Sequence, residues 1–336
     1  MSKTFIIAEL SANHNGSRRT AIDSIIAAKK AGADAIKIQT YTADTLTLDC
    51  QQSDFMLHSG LWAGETYYSL YKKAYTPWEW HEELFHVAQE EGLVCFSTPF
   101  DKTAVDFLES LNNPIYKIAS FEITDIPLIN YIAKKHKPVI LSTGIAMEED
   151  ILLALDTLRS EGCNDITLLK CTSAYPAPIE DANLLTIPDM MRRFDVKVGL
   201  SDHTEGSVVP LAAVALGAKV VEKHFIIDRS IGGPDSAFSM EASEFKSMVD
   251  VIRKVEKSLG EIYYPKNPEL IKGRLGCRSL YVGEDVKAGD TITEANVRSV
   301  RPGLGLHPKY LPEVIGKTFS RDCKKGERFS LEMIDN

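Results

Sequence analysis

The chain has 336 residues, which is enough for a full-size α/β barrel of about 250 residues and a further small domain. Its 44% hydrophobic and 25% charged residues are typical of a globular protein that folds in water. The formal net charge of −9 argues against general nucleic-acid binding, which needs a basic surface, so an anionic ligand would require a local cationic pocket.

Two further features bear on location. No apolar run approaches the ~20 residues of a membrane span, and the first residues run directly into a strand pattern without the apolar segment of a signal peptide. The six cysteines are scattered and form no Cys-x-x-Cys pair, as is typical of reduced thiols. We therefore expect a cytoplasmic protein with no membrane segment.

Eight short apolar or β-branched runs predict strands that are buried on both faces, and helical patterns separate them. The predicted strands are residues 5–9, 35–39, 94–98, 115–119, 139–142, 166–171, 196–200 and 219–224. The predicted helices are residues 20–31, 78–91, 102–110, 126–135, 148–159, 184–194, 208–216 and 245–258. This alternation predicts a (β/α)8 TIM barrel. The main alternative is a doubly wound open sheet, but no Gly-x-Gly-x-x-Gly follows the first strand.

Two segments fall outside the alternation. Residues 41–75 form a long, aromatic-rich insertion, which is compatible with a lid over the barrel mouth, a surface subdomain or an oligomer contact. Beyond Gly260, short strands and turns replace helices, and residues 284–293 and 321–330 echo each other around a lysine-glycine turn. We predict a barrel domain at residues 1–262, a linker at 263–276 and a small β-rich domain at 277–336.

Polar side chains occupy the C-terminal ends of all eight predicted strands, which meet at one face of a barrel. Buried charges are costly unless they are paired or used, so these residues predict a site. Three lysines and three hydroxyls predict a cradle for phosphate and carboxylate groups: Lys37, Lys117, Lys170, Thr98, Ser120 and Ser142. Further polar residues at or just after strand ends are Glu9, Asn13, Gln39, Glu122, Ser173, Tyr175, Asp202 and Glu222.

Two histidines end the seventh and eighth predicted strands. His203 and His224 are 21 residues apart (224 − 203), with a predicted helix between them. Neutral imidazoles that converge at the barrel mouth predict a site for a divalent metal, Mn²⁺ or Mg²⁺, of which Mn²⁺ tolerates imidazole better. The alternative is two unrelated histidines, one of them satisfied by hydrogen bonds. The polar ends of the other six strands favour the metal pair.

Several motifs resemble the sialic acid synthase family over nearly the whole chain. They include residues 13–16 (Asn-His-Asn-Gly), 36–40 (Ile-Lys-Ile-Gln-Thr), 199–204 (Gly-Leu-Ser-Asp-His-Thr), 222–225 (Glu-Lys-His-Phe) and 301–303 (Arg-Pro-Gly). Residues 9–14, 117–122 and 170–173 are most similar to the branch whose product is pseudaminic acid. Ser173 stands where neuraminate synthases typically carry Asn, whereas residues 232–235 (Gly-Gly-Pro-Asp) look more like the neuraminate branch.

The resemblance implies a transferase with a C-terminal antifreeze-protein-like (SAF) domain. It implies that phosphoenolpyruvate, 2,4-diacetamido-2,4,6-trideoxy-β-L-altropyranose and water give pseudaminic acid and phosphate, by C–O cleavage through a tetrahedral intermediate. Catalytic roles are implied for Glu9, Lys37, Lys117, His203 and His224, the last two as metal ligands. Substrate contacts are implied for Asn13, Gln39, Thr98, Ser120, Glu122, Ser142, Lys170, Ser173, Tyr175, Asp202, Asp235 and Arg301. The family also implies a domain-swapped homodimer, in which the small domain caps the partner's barrel.

Three alternatives stay open from the sequence. The same chemistry on another sugar would make the chain an N-acetylneuraminate or legionaminic acid synthase. A Schiff-base aldolase would use Lys117 or Lys170 as its nucleophile and would need no metal. A non-catalytic sugar-binding or structural protein would be built around the C-terminal domain, although it would have no use for the charged strand ends.

Overall fold

The structure is a computed structural model that describes residues 3–267 and 271–335. It divides into two compact units, Met1–Gly260 and Glu261–Asn336. No helix within the described residues is long and apolar enough to cross a membrane. Residues 268–270 of the predicted linker lie outside the described part, so the boundaries proposed at residues 262 and 277 stay a prediction.

The first unit contains a closed barrel of eight parallel strands. Each strand pairs with the next, and β1 also pairs with β8, which closes the ring. The strands are β1 Phe5–Glu9, β2 Ala35–Thr40, β3 Val94–Pro99, β4 Tyr116–Ile118, β5 Val139–Ser142, β6 Ile166–Cys171, β7 Lys197–Asp202 and β8 Val220–Ile226. A short strand β9, Met240–Glu241, pairs with the end of β8. The predicted (β/α)8 fold is confirmed, and the open doubly wound sheet is wrong.

Helices follow the strands as predicted, with ends that differ by a few residues. They are α1 Arg18–Lys30, α2 Ala43–Leu46, α3 Tyr67–Ala74, α4 His81–Glu90, α5 Lys102–Ser110, α6 Ile126–Ala133, α7 Glu148–Ser160, α8 Thr186–Phe194, α9 Val208–Ala215 and α10 Ala242–Leu259. Side chains of Asp101 and Asp125 accept backbone hydrogen bonds at the starts of α5 and α6, where helical N–H groups lack partners. The predicted helix at 78–91 begins as a 3-10 turn, Trp78–Trp80, before α4.

The two histidine-bearing strands extend two residues further than predicted. Pairing of Ser201 with Glu222 and of Asp202 with Lys223 continues the ladder between β7 and β8. His203 therefore directly follows β7, whereas His224 lies within β8. Because successive side chains of a strand point to opposite faces, this register decides which tip residues enter the barrel.

Apolar side chains fill the barrel beneath the polar strand ends. The inner cluster contains Ile7, Phe96, Ile140, Leu169 and Val220, so the barrel is a packed core and not a pore. At Gly199 of β7, an added Cβ would lie 2.5 Å from the Val220 carbonyl oxygen and 2.7 Å from the Leu169 side chain. Glycine therefore permits the close approach of β7 and β8 there.

The insertion after β2, residues 41–75, has secondary structure of its own. It contains α2, a 3-10 turn at Ser53–Phe55 and α3, and Met56 bridges antiparallel to Thr66. Tyr41 makes edge-on ring contacts with Tyr71 and Phe100, which attaches the insertion to the end of β3.

The second unit is a small β-rich domain. Strands β10 Ser279–Val282 and β11 Val297–Val300 pair antiparallel, and a short helix α11, Leu311–Val314, follows. The two similar fragments, residues 284–293 and 321–330, pair with each other, since Val286 and Cys323 exchange backbone hydrogen bonds of 3.0 Å each. Phe319 and Phe329 pack edge to face in its separate apolar core.

Candidate active site

Two lysines and two glutamates meet on the inner face of the barrel. Lys37 Nζ lies 2.6 Å from Glu9 Oε2 and 3.7 Å from Glu222 Oε1. Lys117 Nζ lies 3.9 Å from the same Glu222 oxygen. All four side chains are at most 7% exposed, so their charges interact with little screening.

The two carboxyl groups differ in proton affinity. Burial raises the pKa of Glu9 above its ordinary value, even though Lys37 opposes the shift. At Glu222 burial acts in the same direction, but the ammonium groups of Lys117 and Lys37 hold the pKa below its ordinary value. Glu222 is thus suited to remain ionised as the partner of the lysines, whereas Glu9 has the stronger tendency to take up a proton.

The predicted hydroxyls lie beside the lysines. Lys37 donates to Thr98 Oγ1 at 3.2 Å, and Lys117 donates to Ser142 Oγ at 2.7 Å. Ser120 Oγ accepts a hydrogen bond from the Gly144 backbone at 3.1 Å. Two ammonium groups with neighbouring hydroxyls form the arrangement expected of a pocket for a small anion.

The two histidines face each other across the ends of β7 and β8, with ring centroids 5.3 Å apart. His203 Nδ1 donates to the Thr172 carbonyl at 2.9 Å, so the lone pair of the ring in its neutral form lies on Nε2. His224 Nδ1 is buried and finds no hydrogen-bond partner within the described residues. Burial, reinforced by His203 and Lys37, holds the pKa of His224 well below its ordinary value, so its ring is neutral.

These properties fit a divalent metal. Metal binding needs neutral imidazoles, and a backbone hydrogen bond to the other ring nitrogen, as at His203, is the usual way to orient such a ligand. In the described parts of the chain, no group of three or more His, Cys, Asp or Glu side chains is placed to enclose an ion. The chain would therefore supply two nitrogen donors and leave the other positions to substrate or water.

Strand and loop residues form further hydrogen bonds near the pair. Gln39 donates to Glu9 Oε1 at 3.1 Å and to Ser11 Oγ at 3.0 Å. Asp235 Oδ2 accepts from the Ala12 backbone at 3.2 Å and lies 3.9 Å from His224 Nδ1. The Asn13 amide is fully buried and donates to the Phe225 carbonyl and to Ser239 Oγ, so it ties the loop after β1 to the end of β8.

Three more predicted residues border the mouth. The Tyr175 ring lies 4.3 Å from the His203 ring. Ser173 Oγ would lie 2.2 Å from a Cβ added at Gly144, so this glycine provides room for it. Glu122 Oε2 is buried without a hydrogen-bond partner in the described residues, and burial raises the pKa of Glu122 to about 7.

Two predicted site residues are not brought into this group. Cys171 and His203 face into the barrel, so the preceding residues, Lys170 and Asp202, face the helices. They share that face with Leu168 and Leu200, which belong to the core between strands and helices. Lys170 Nζ donates to the Cys171 carbonyl, and Asp202 forms a buried ion pair with Lys223 at 2.5 Å. Their roles as substrate contacts stay a prediction. Arg301 is exposed and lies in the second unit, so its substrate contact stays a prediction.

The structure also defines contacts of residues to which the resemblance assigned no role. Glu222, one of the polar strand-end residues of the sequence, faces inward two residues before His224 and lies near both lysines. Cys171 Sγ lies 3.8 Å from His203 Nδ1, and Phe238 lies 5.0 Å from His224 between ring centroids. Nothing in the local sequence marks Phe238 as a neighbour of the histidines.

A parallel barrel whose mouth joins paired lysines and carboxylates to an imidazole pair is the architecture of an enzyme for small anionic substrates. The family model of the NeuB family matches residues 24–264, and that of the SAF domain matches residues 278–335. A pseudaminic acid synthase of Campylobacter jejuni subsp. jejuni is 51% identical over 325 residues, which cover 97% of this chain and 95% of that protein. A pseudaminic acid synthase of Helicobacter pylori is 48% identical over 98% of this chain and 97% of its own length.

A crystal structure of N-acetylneuraminic acid synthetase from Leptospira borgpetersenii has a TM-score of 0.71 and 32% identity over 80% of this chain and 89% of that chain. This chain therefore belongs to the NeuB family, and its second unit is a SAF domain. The resemblance to sialic acid synthases inferred from the motifs is confirmed.

Proposed function

We propose that the chain acts as a pseudaminic acid synthase. In this reaction phosphoenolpyruvate condenses with 2,4-diacetamido-2,4,6-trideoxy-β-L-altropyranose and water to give pseudaminic acid and phosphate. The observation that carries the chemistry is the convergence of Lys37, Lys117 and the His203–His224 pair at the barrel mouth. The choice of acceptor is supported by the 51% identity to the Campylobacter enzyme.

Phosphoenolpyruvate would bind through its carboxylate and phosphate. Lys37 and Lys117, with Thr98, Ser120 and Ser142, provide two cations and three hydroxyls on adjacent strands. Hydrogen bonds between charged groups are about twice as strong as neutral ones, so a buried ammonium pair can replace the hydration that a dianion loses on entry. Glu222 would keep the lysines paired before the substrate arrives.

The open-chain sugar would place its aldehyde at the histidine pair. A divalent cation, Mn²⁺ or Mg²⁺, held by His203 and His224 would supply Lewis-acid polarisation of this aldehyde. C3 of phosphoenolpyruvate then forms the new C–C bond with the aldehyde carbon, the C=O π bond breaks and its oxygen becomes an alkoxide that takes up a proton, and C2 becomes electron deficient. Gln39, Tyr175, Asp235 and Glu122 would orient sugar hydroxyl and acetamido groups.

Water completes the reaction by adding to C2. Glu9 lies next to His224 in the β1–β8 register, and burial raises its pKa, so it is our candidate to take the proton from this water. The tetrahedral intermediate then loses phosphate by cleavage of the C2–O bond. Glu9→Gln should abolish turnover, and near wild-type turnover of this variant would contradict the role.

The working unit is proposed to be a cytoplasmic homodimer in which the SAF domain caps the partner's barrel through Arg301. All six cysteines are free, which supports a reducing location. Truncation after Gly260 should abolish condensation, whereas a fully active isolated barrel would contradict the capping role.

Phosphate release with a panel of 2,4-diacetamido and N-acetyl hexoses tests the acceptor. The 2,4-diacetamido-2,4,6-trideoxy altrose should have the highest kcat/KM, whereas preference for N-acetylmannosamine or the legionaminic precursor would assign another branch. The aldolase alternative would use Lys117 or Lys170 as its nucleophile, and burial lowers the pKa of both lysines. Loss of activity on borohydride treatment with substrate, in metal-free enzyme, would favour that alternative.

A further inference from the structure

A row of aromatic rings leads from the insertion to the histidine pair. Trp62 lies 6.3 Å from Tyr175 and Tyr175 lies 5.2 Å from Phe238, between ring centroids. The row ends at the histidines, with Tyr175 4.3 Å from His203 and Phe238 5.0 Å from His224. Phe238 is buried, whereas Trp62 and Tyr175 are partly exposed, so the outer part of the row is accessible to a ligand.

Trp62 is held in this position from two sides. Its Nε1 donates to the Pro234 carbonyl at 3.3 Å, next to Asp235. Its own loop is closed by backbone hydrogen bonds of 2.8 Å from Leu57 to Glu65 and from Gly64 to Leu57. The only polar atom of the indole is therefore used by the protein, and the rest of the ring is an apolar surface.

The paired charges of Lys37 and Glu9 lie on the barrel strands, and Asp235 is the charged residue next to the row. Glu9 stands beside His224 in the strand register, and Lys37 pairs with Glu9. The lysines attract an anionic substrate. The carbon chain of an aldehyde bound between the histidines would then be directed away from the lysines. The aromatic row is the apolar surface that borders the histidines in the described residues, and a sugar's apolar substituents gain most by packing against such rings.

We propose that Trp62 is a specificity-determining residue for the acceptor, with its indole packed against the methyl carbon of a 6-deoxy sugar. This inference rests on the proposed function and names the part of the acceptor that the insertion recognises. A methyl group gains from contact with the ring, whereas a 6-hydroxyl packed against the indole would lose hydration on that side and gain no hydrogen bond from the indole, since Nε1 already donates to Pro234. Apolar contacts of this size discriminate by roughly 10- to 100-fold.

The test compares two acceptors that differ only at C6, the 2,4-diacetamido-2,4,6-trideoxy sugar and its 6-hydroxy counterpart. Trp62→Ala should raise KM for the 6-deoxy sugar about 10-fold, leave kcat within about 3-fold and leave KM for phosphoenolpyruvate unchanged. Its preference for the 6-deoxy sugar should fall by about the same factor. Leu61→Ala is the matched control, because this neighbouring side chain is 52% exposed and should change neither value.

Trp62→Phe separates packing from the hydrogen bond to Pro234, because it keeps an aromatic ring and removes the N–H. Retention of most of the C6 preference in this variant supports the proposal. The proposal is overturned if Trp62→Phe loses as much preference as Trp62→Ala, or if Trp62→Ala lowers kcat for both sugars equally without changing KM. If the wild type releases phosphate with neither sugar, the proposed function itself fails, and this inference with it.

Discussion

Replacing Lys223 with methionine leaves the carboxylate of Asp202 buried without its cation. Both side chains are 2% exposed, and Lys223 Nζ lies 2.5 Å from Asp202 Oδ2. The same ammonium group donates to the Thr204 carbonyl at 2.6 Å, so methionine removes two contacts. The pair joins the ends of β7 and β8, one residue before each histidine.

The expected loss of stability follows from this burial. Removing one partner of a buried ion pair costs about 3–5 kcal/mol, because the remaining charge is neither solvated nor paired. Asp202 Oδ1 keeps hydrogen bonds from the Thr204 backbone at 3.1 Å and from its hydroxyl at 2.9 Å. These bonds favour the lower end of the range, so we expect about 3 kcal/mol, or roughly a 150-fold change in the unfolding equilibrium.

Urea unfolding followed by circular dichroism measures this change. Lys197→Met is the matched control, because Lys197 pairs with Asp165 at 2.8 Å but the side chains are 62% and 54% exposed. This exposed pair should contribute less than about 1 kcal/mol. The double variant Lys223→Met with Asp202→Asn should recover most of the loss, since no buried charge remains. A loss below about 1 kcal/mol for Lys223→Met, or no recovery in the double variant, would refute the reasoning.

Three further predictions concern the site. Gly144→Ala places a methyl group 2.2 Å from Ser173 Oγ and should lower kcat/KM about 10-fold, whereas Gly273→Ala, with nothing within 4 Å of the new Cβ, should leave it unchanged. Because burial raises the pKa of Glu122 from 4.5 to about 7, the folded protein keeps this proton after the unfolded chain has released it, and stability falls as pH rises through that window. Glu122→Gln should therefore gain stability relative to wild type between about pH 5 and pH 8, and an equal difference at both pH values would contradict this. Metal-stripped enzyme should lose activity and regain it when Mn²⁺ is added. Calorimetry should show that the His224→Ala variant binds Mn²⁺ more weakly than wild type. Full activity in EDTA would exclude a role of the metal.

Much of the fold could be predicted because its signals are local. Buried parallel strands read as short apolar runs, and the helices between them carry their own caps, such as Asp101 and Asp125. Polar residues at strand ends also indicate the site locally, because all strands of a parallel barrel end at the same face. Lys37, Lys117, His203 and His224 could be assigned to one site on this basis.

The face of the strand on which each side chain lies was harder to predict from the sequence. Lys170 and Asp202 are one residue away from Cys171 and His203, and a shift of one residue reverses the face of a strand. The same two-residue period places Glu222 on the inner face together with His224. The sequence shows that polar residues cluster at each tip, but the pairing of β7 with β8 selects those that enter the barrel.

The sequence by itself determined the barrel, the SAF domain and the strands that carry the chemistry, because apolar periodicity, caps and motifs are properties of neighbouring residues. Only the tertiary structure decided which charges are paired, which histidine nitrogen is free and that Trp62 lies beside Tyr175. Those contacts join residues far apart in the chain, and their pairing and burial depend on how the strands and loops are placed in three dimensions.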